Sequence, residues 1–340
     1  MSQLPKSLLW EAGELYLLDQ TRLPHEEITL HCRTVTSVFE AISALRVRGA
    51  PAIGIAAAYG LLVDTAALIE MTELERRRDY LNSARPTAVN LGWALKRMLA
   101  KAEEINNGGK VSRNELLLEA EAIHQEDRQS CQSIADYGRP LIKGMLNLLT
   151  HCNAGSLAVS EYGTALAPIY RASEEGQAIH VYVDETRPLL QGARLTSYEL
   201  ARHGVDHTLI TDNMAAHVMS LGRVDGVIVG ADRVTANGDA INKIGTLNLA
   251  ILCQHFSIPF FVACPSSTID LATSAGSEVE IECRDAEEVR QFSKNPTCLP
   301  NTPVFNPAFD STPASLITAL ITDRGVVYKP NSRQMADILS

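Results

Sequence analysis

Thr150-His151-Cys152-Asn153-Ala154-Gly155 and Gly230-Ala231-Asp232-Arg233 are the two stretches that decide the fold. Each follows an apolar run that is typical of a buried strand, and each is expected to pass through a turn into a helix. The carboxyl ends of parallel strands meet at one edge of an open α/β sheet, where ligands bind. We therefore expect the Cys152 thiol and the Asp232 carboxylate to face one pocket and to transfer protons there.

The second half of the chain has the pattern of a parallel sheet. After Gly144, strand-like apolar runs alternate with helical stretches, and the runs lie at 145–150, 179–183, 207–210, 226–229 and 258–263. Alternation at this spacing indicates repeated βαβ units. We place a domain boundary near residue 142, which gives an α/β C-terminal domain over 143–340.

The first 142 residues have a different pattern. Residues 8–36 alternate apolar and polar side chains, which predicts a small antiparallel meander. Apolar residues then recur at three- and four-residue spacing, which predicts helices within 38–45, 51–70, 88–102 and 114–137. The N-terminal domain, 1–142, is therefore expected to be mainly helical and to carry a small antiparallel sheet.

Composition and charge argue against several classes of function. The 340 residues carry a net charge of −10, which disfavours nucleic-acid and anionic-membrane partners. No apolar run approaches the roughly 20 residues that span a bilayer, and Met1–Lys6 lacks the layout of a secretory signal, so we expect a cytoplasmic protein. The seven cysteines are dispersed without a Cys-x-x-Cys pair, which predicts neither a zinc site nor a redox motif.

Common cofactor motifs are missing from the sequence. There is no Gly-x-Gly-x-x-Gly after a strand, no Gly-x-x-x-x-Gly-Lys-Ser/Thr loop, and no His, Asp and Glu cluster at metal-ligand spacing. We therefore expect no cofactor and no metal, and the absent glycine motif disfavours a nicotinamide dehydrogenase.

Arg48-Gly49-Ala50-Pro51 opens an Ala-rich helical stretch. Pro51 suits the first helical turn, and the unpaired N–H groups of a helix start bind anions. Gly49 would let the backbone approach the ligand, and Arg48 would add a bidentate contact. The segment predicts a phosphate site; the alternative is an ordinary helix start with an exposed arginine.

Arg85-Pro86-Thr87 repeats the arrangement of an arginine and a proline before a helix. It predicts a weaker phosphate contact, and a solvated arginine is the stronger alternative.

Four further side chains carry groups that can transfer protons or bind a ligand. Cys152, between a strand end and an expected helix start, would have a lowered pKa because the helix dipole favours the thiolate; alternatively it is a buried, inert cysteine. Asp232 is either an acid–base group or the cap of the next helix, and Lys243 either contacts a ligand or is a surface charge. His151 adjoins Cys152, but adjacent strand residues point to opposite faces, so we interpret it as structural.

These motifs closely resemble those of the 5-methylthioribose-1-phosphate isomerases, a family that shares its fold with the regulatory subunits of translation initiation factor 2B. The matching stretches run nearly end to end: 46–54, 85–91, 151–155, 184–196, 212–216, 230–246 and 306–310. The resemblance implies a Rossmann-like C-terminal domain, a homodimer, and Cys152 and Asp232 as the catalytic pair. It also implies contacts to a small phosphorylated sugar from Arg48, Gly49, Ala50, Arg85, Gln191, Asn242 and Lys243.

The implied reaction converts 5-methylthioribose 1-phosphate to 5-methylthioribulose 1-phosphate in methionine salvage. Asp232 would assist ring opening and Cys152 would act as base at C2, or the same pair would serve a hydride shift from C2 to C1. Three alternatives stay open: a 5-deoxyribose-1-phosphate isomerase, a ribose-1,5-bisphosphate isomerase, which needs a second basic cluster, and a non-catalytic regulatory subunit. The sequence leaves the 5-substituent open, and residues 293–302 follow no recognised pattern.

Overall fold

The computed structural model describes residues 4–86, 88–292 and 295–339. Three sequence features therefore fall partly outside the described residues: the first three residues of the chain, Thr87 of the second arginine-proline motif, and residues 293–294 of the atypical segment. Among the described residues, no helix combines the length and apolar character needed to cross a bilayer.

Strands and helices follow one another along the whole described chain. The strands are β1 (Leu8–Glu11), β2 (Glu14–Leu18), β3 (Thr29–Cys32), β4 (Leu68–Glu70), β5 (Lys110–Ser112), β6 (Asn147–Thr150), β7 (His180–Asp184), β8 (Asp206–Ile210), β9 (Gly226–Val229), β10 (Arg233–Thr235), β11 (Ala240–Lys243), β12 (Phe260–Ala263), β13 (Ile269–Asp270), β14 (Gln291–Phe292), β15 (Asn295–Pro296), β16 (Phe309–Thr312), β17 (Ala319–Thr322) and β18 (Gly325–Tyr328). The helices are α1 (Val35–Ser43), α2 (Ala50–Gly60), α3 (Met71–Asn82), α4 (Val89–Glu104), α5 (Arg113–Gly138), α6 (Ala167–Glu174), α7 (Ser197–His203), α8 (Ala215–Ser220), α9 (Thr246–Phe256), α10 (Glu287–Arg290) and α11 (Ser332–Leu339).

The largest sheet confirms the predicted α/β fold class. Its strand order is β18-β17-β12-β9-β6-β7-β8, and all neighbours are parallel except β17 and β18. The chain proceeds from β6 to β7 and β8 on one side, and from β9 to β12 and β17 on the other. The direction of winding therefore reverses between β6 and β9, and such a reversal opens a ligand crevice at the carboxyl ends of the two strands.

The N-terminal part is mainly helical, as predicted, and β1, β2 and β3 form its antiparallel sheet. Helix α2 is buried on nearly every side because its residues are small or apolar, and Gly54 lets it approach the Asn90 backbone of α4 closely. The predicted helical run 51–70 was too long. The apolar pattern continues through Val63, but Asp64 has a φ of 51° and the chain then forms the β4 strand.

Two main hydrophobic clusters lie on either side of the middle of α5. Ile123 belongs to a cluster built from residues 8–123, whereas Cys131 belongs to a cluster that reaches Ile321 under the large sheet. Helix α5 therefore connects the helical part to the sheet. The domain boundary at residue 142 stays a prediction, four residues beyond the end of this helix.

Candidate active site

One cavity lies at the carboxyl ends of β6 and β9, where the winding reverses. All nine residues proposed from the sequence line it: Arg48, Gly49, Ala50, Arg85, Cys152, Gln191, Asp232, Asn242 and Lys243. The lining also includes Asn153, Arg284 and Phe309, which sequence reasoning had not assigned to the site. Asn153 and Phe309 fall within matching motifs, whereas Arg284 lies in an irregular segment that gave no pattern to interpret.

The start of α2 forms one wall of this cavity. Gly49 precedes the helix with a φ of 94°, and Pro51 lies in the first turn, as predicted. A Cβ atom at Gly49 would overlap the backbone of Ala158, so both the conformation and the close approach require glycine. No side chain caps this helix start, which leaves its N–H groups and the positive end of the helix dipole available to an anion.

Three of the proposed residues bring cationic groups to the same cavity. Arg48 is buried and donates to the Asn153 carbonyl over 2.8 Å, so it is not the exposed arginine of the alternative interpretation. Lys243 is also buried, and its Nζ lies 3.0 Å from the Ala308 carbonyl oxygen. Arg85 forms an ion pair of 3.1 Å with Glu282. Arg48 and Lys243 thus bring positive charge into the cavity without a paired carboxylate among the ion pairs of the described residues.

Cys152 occupies an unusual backbone conformation directly after β6. Its φ of 60° lies in the left-handed region, which costs a non-glycine residue about 1–3 kcal/mol. Its N–H donates to Thr186 Oγ1 over 2.8 Å, and its carbonyl accepts from Thr196 Oγ1 over 2.6 Å. Hydrogen bonds on both sides therefore hold the residue in place.

The prediction of a lowered pKa for Cys152 was wrong. A single 3-10 turn, residues 156–158, follows the loop, and the next helix, α6, begins only at residue 167, so the helix start expected directly after Cys152 is absent. Enclosure by protein raises the pKa of the Cys152 thiol, although the charges of Arg48 and Lys243 oppose the rise. The resting residue is therefore a thiol.

Asp232 follows β9, and the chain then forms the β10–β11 hairpin rather than the expected helix. The hairpin turn contains Asn237-Gly238-Asp239, with Gly238 at a φ of 89°, and helix α9 begins only at Thr246. Asp232 therefore does not cap a helix. Burial raises the pKa of its carboxyl, opposed by the charges of Lys243 and Arg85. This environment favours the protonated acid.

The hairpin also explains the position of Asn242 and Lys243. Strand β11 pairs with β10 on one side and with β16 on the other, and all four of its residues are buried. Asn242 Nδ2 donates to Thr246 Oγ1 over 3.0 Å. Burial lowers the pKa of Lys243, whereas the neighbouring Cys152 and Asp232 oppose this effect. Lys243 is therefore not the surface charge of the alternative interpretation.

Gln191 is the only proposed contact found through resemblance alone. It is 6% exposed, and its Oε1 atom has no hydrogen-bond partner among the described residues. A buried amide oxygen without a partner is costly, and a ligand hydroxyl or amine in the cavity would satisfy it.

His151, Asp184 and Asp212 form a group whose potential ligand atoms lie within 4.8 Å of one another. All three already have protein partners. His151 lies between Asp184 Oδ2 and the Ile244 carbonyl, and Asp212 accepts the N–H groups of Thr186 and Arg187. The arrangement connects β6 and β7 to the neighbouring loops.

A second cavity, about 500 Å³ in volume, lies beyond Pro51 and Pro265, which line both spaces. Glu126, Asp127 and Asp323 contribute to its wall, and none of the nine proposed residues does. Its acidic wall does not suit a phosphorylated ligand, so we assign the chemistry to the cavity between β6 and β9.

Known proteins are similar to this chain both in sequence and in fold. The profile of the Initiation factor 2 subunit family matches residues 46–329. The chain belongs to this family. A family relationship of this extent confirms the fold class and the resemblance that the motifs indicated.

Relatives of this initiation factor 2 subunit family protein include named enzymes. A methylthioribose-1-phosphate isomerase of Bacillus pumilus is 49% identical over 332 residues, 96% of this chain and 94% of the relative. A 5-deoxyribose 1-phosphate isomerase of Moorella thermoacetica is 49% identical over 338 residues, covering 97% and 96%. The crystal structure of 5-methylthioribose 1-phosphate isomerase from Pyrococcus horikoshii aligns with a TM-score of 0.90 at 40% identity, covering 99% and 96%.

Proposed function

We propose that this protein is an aldose–ketose isomerase that converts 5-methylthioribose 1-phosphate to 5-methylthioribulose 1-phosphate, a step of methionine salvage. The observation that carries the proposal is the position of Cys152 and Asp232 at the carboxyl ends of adjacent strands, in one cavity with Arg48, Arg85 and Lys243. The names of the relatives supply the substrate class. We further propose that the protein acts as a homodimer in the cytoplasm.

The proposed enolate route needs four proton transfers to or from the sugar. The bond between C1 and the ring oxygen breaks, that oxygen takes a proton from the Asp232 carboxyl, and C1 is left as an oxocarbenium centre stabilised by the oxygen that carries the phosphate. The 2-hydroxyl then loses its proton to Asp232 as C2 becomes a carbonyl, while the hydrogen on C2 moves to C1. On this route the Cys152 thiol first releases its proton to water; the thiolate then takes the hydrogen of C2 as a proton and returns it to C1 through an enolate-like intermediate. The raised pKa of Asp232 suits its first role, because burial makes this carboxyl hold a proton more readily than an exposed aspartate does.

The cations have a separate role in this proposal. The phosphate on C1 stays attached throughout, so it must be held while the ring opens. The N–H groups at the start of α2, with Arg48, Arg85 and Lys243, would bind the phosphate and stabilise negative charge that develops on the enolate.

A hydride shift from C2 to C1 is the alternative to the enolate route. The raised pKa of Cys152 is relevant here, because a thiol must first lose its proton before it can act as base. Reaction in D₂O separates the two routes: an enolate exchanges with solvent and leaves deuterium at C1 of the product, whereas a hydride shift does not.

A second candidate substrate is 5-deoxyribose 1-phosphate. The specific support for it is the relative of that name at 49% identity. Both substrates require the same chemistry at C1 and C2 and differ only at the 5-position, so the acid–base pair does not distinguish them.

The deciding experiment incubates the protein with 5-methylthioribose 1-phosphate, 5-deoxyribose 1-phosphate and ribose 1,5-bisphosphate in parallel, followed by phosphorus and carbon NMR. We expect the highest kcat/KM for 5-methylthioribose 1-phosphate. Preference for either other sugar would replace the substrate assignment. Tight binding of all three without conversion would reject an enzyme and support a regulatory binding subunit.

A further inference from the structure

Two buried threonine hydroxyls contact the backbone of Cys152 from opposite sides. Thr186 lies in the loop after β7 and Thr196 lies just before α7, and both are fully buried. We propose that Thr186 and Thr196, hereafter the threonine pair, are positioning residues that hold Cys152 in its left-handed conformation so that its thiol faces the cavity. The kinetic part of this inference rests on the catalytic role proposed above for Cys152.

The hydrogen bonds of Thr186 have one consistent assignment. Its hydroxyl accepts from the Cys152 N–H over 2.8 Å and donates to the Asp184 carbonyl over 3.1 Å. Its own N–H donates to Asp212 Oδ1 over 2.7 Å, so the threonine is itself fixed to the sheet edge. The hydroxyl is thus an acceptor for Cys152 and cannot be replaced by an apolar group without leaving that N–H unpaired.

Thr196 contacts the other side of the same residue. Its hydroxyl donates to the Cys152 carbonyl over 2.6 Å and accepts from Asn153 Nδ2 over 3.2 Å. Asn153 Nδ2 also lies 2.8 Å from Glu199 Oε1, and the Glu199 carboxylate binds the N–H groups of Ser156 and Leu157. The loop after Cys152 is therefore fixed together with Thr196.

Both peptide groups of Cys152 are thus fixed by side chains from other elements. Fixing the two peptide planes fixes the direction of the Cα–Cβ bond, because that bond is rigid relative to the backbone. A left-handed conformation is unfavourable for cysteine, and without these contacts the residue would relax to an ordinary conformation and move its sulfur. The threonine pair therefore determines where the thiol lies relative to Arg48 and Lys243.

The test replaces each threonine by valine, which keeps the branched shape and has a methyl group in place of the hydroxyl, and by serine, which keeps the hydroxyl and lacks the methyl group. We expect Thr186→Val and Thr196→Val each to lower kcat about tenfold or more with little change in KM, since substrate contacts remain. The serine variants should stay within about threefold of the wild type, because they restore the hydrogen bond.

A second measurement does not depend on turnover. The alkylation rate of Cys152 by iodoacetamide, followed by mass spectrometry across a pH series, reports the environment of the sulfur. Cys283 and Cys298 are exposed and would consume reagent, so all variants are made in a Cys283→Ser/Cys298→Ser background. In the valine variants we expect slower alkylation and a higher apparent pKa, because the sulfur moves away from Arg48 and Lys243.

Thr322→Val is the matched control. Thr322 is fully buried, accepts from the Arg324 N–H and donates to the Gly325 carbonyl, which reproduces the bonding of Thr186 at a remote hairpin. The Thr322→Val change should lower the melting temperature about as much as Thr186→Val and Thr196→Val do. The kcat and the alkylation rate of Cys152 should stay unchanged. Should either valine variant fail to fold, Thr186→Ala and Thr196→Ala replace them, because water can occupy the vacated space.

The inference is overturned if the valine variants retain wild-type kcat or wild-type alkylation of Cys152, or if the serine variants are as impaired as the valine variants. A kcat loss without a change in alkylation also overturns it, because the threonines would then act elsewhere. Full activity of Cys152→Ala would instead reject the proposed catalytic role of Cys152, and the alkylation measurement would still decide the positioning role.

Discussion

His151 Nδ1 lies 2.9 Å from Asp184 Oδ2 in a buried pair directly behind the turn that carries Cys152. The other ring nitrogen lies 2.8 Å from the Ile244 carbonyl, which can only accept, so Nε2 must carry a proton. Burial alone would lower the pKa of His151, but the hydrogen bond and charge of Asp184 outweigh it and raise the pKa. Burial raises the pKa of Asp184 to about 6. The pair therefore joins β6, β7 and the loop after Lys243.

Removing one member of the His151–Asp184 pair should reduce the stability of the folded protein. We expect His151→Gln to lower the free energy of unfolding by about 3–5 kcal/mol, because Asp184 is left buried without its partner. Urea unfolding measures the loss. His180→Gln is the control, since His180 pairs with Asp206 over 2.8 Å at the surface and should cost about 1 kcal/mol or less. Equal losses in the two variants would contradict a structural role for His151.

The catalytic assignment predicts large losses of turnover. Cys152→Ala and Asp232→Asn should each lower kcat by about two to four orders of magnitude, the range for a positioned acid or base. Steady-state kinetics with 5-methylthioribose 1-phosphate checks this. Cys253→Ala, at a buried cysteine of α9, should leave kcat within about threefold of the wild type if the protein folds. Full activity of either site variant would reject its role.

Phosphate binding by Arg48 predicts a change in KM. Arg48→Ala should raise KM about tenfold or more, because a charge-assisted contact to phosphate is lost. Inorganic phosphate should also become a weaker competitive inhibitor by a similar factor. Arg22→Ala, at an arginine that is half exposed and paired within its own turn, serves as control. An unchanged KM would remove Arg48 from the phosphate site.

Gly49 is required for its conformation and for close approach. Gly49→Ala should destabilise the protein by more than about 2 kcal/mol, because backbone strain is added to overlap with Ala158. Gly144→Ala isolates the strain, since Gly144 has a φ of 81° and open space where a Cβ would lie. The free energy of unfolding of Gly144→Ala should fall by only about 1 kcal/mol. Thermal unfolding of the Gly49→Ala and Gly144→Ala variants compares their losses of stability. Equal losses would contradict a contribution from overlap with Ala158.

Asp127 predicts a pH-dependent stability change. Its carboxylate accepts the Ser160 N–H over 2.7 Å, and burial raises its pKa to about 6. Well below its ordinary value of 3.8 the carboxyl is protonated in both the folded and the unfolded state, and as the pH rises from there to about 6 the unfolded state ionises first, so folding is penalised. Asp127→Asn should therefore raise the melting temperature at pH 8 and much less at pH 4. The exposed Asp79→Asn is the control, and an equal gain at both pH values would contradict the argument.

The large sheet was predictable because its central strands β6, β9 and β12 are almost wholly buried, although the edge strand β8 is mostly exposed. Each of the five apolar runs after Gly144 corresponds to a strand, β6, β7, β8, β9 or β12, since continuous apolar sequence is what such strands require. The start of α2 was equally predictable, because Gly49 and Pro51 act locally on the backbone.

The parts that sequence did not predict depend on tertiary contacts. The β10–β11 hairpin is short, and pairing with β16 and β13 determines its strands. The pKa of Cys152 follows from enclosure by residues far away in the chain, which no local pattern reports. Arg284 reaches the cavity from an irregular segment held by Glu288, so its position also required the folded structure.

The cavity combines contributions of separate origin: the helix start proposed to bind the phosphate comes from α2, whereas the side chains proposed to transfer protons follow β6 and β9. Substitution at positions 152 and 232 is therefore expected to remove the acid–base groups and to leave the start of α2 intact. Binding and turnover would then be separable in this fold, because the phosphate seat and the acid–base groups lie on different elements.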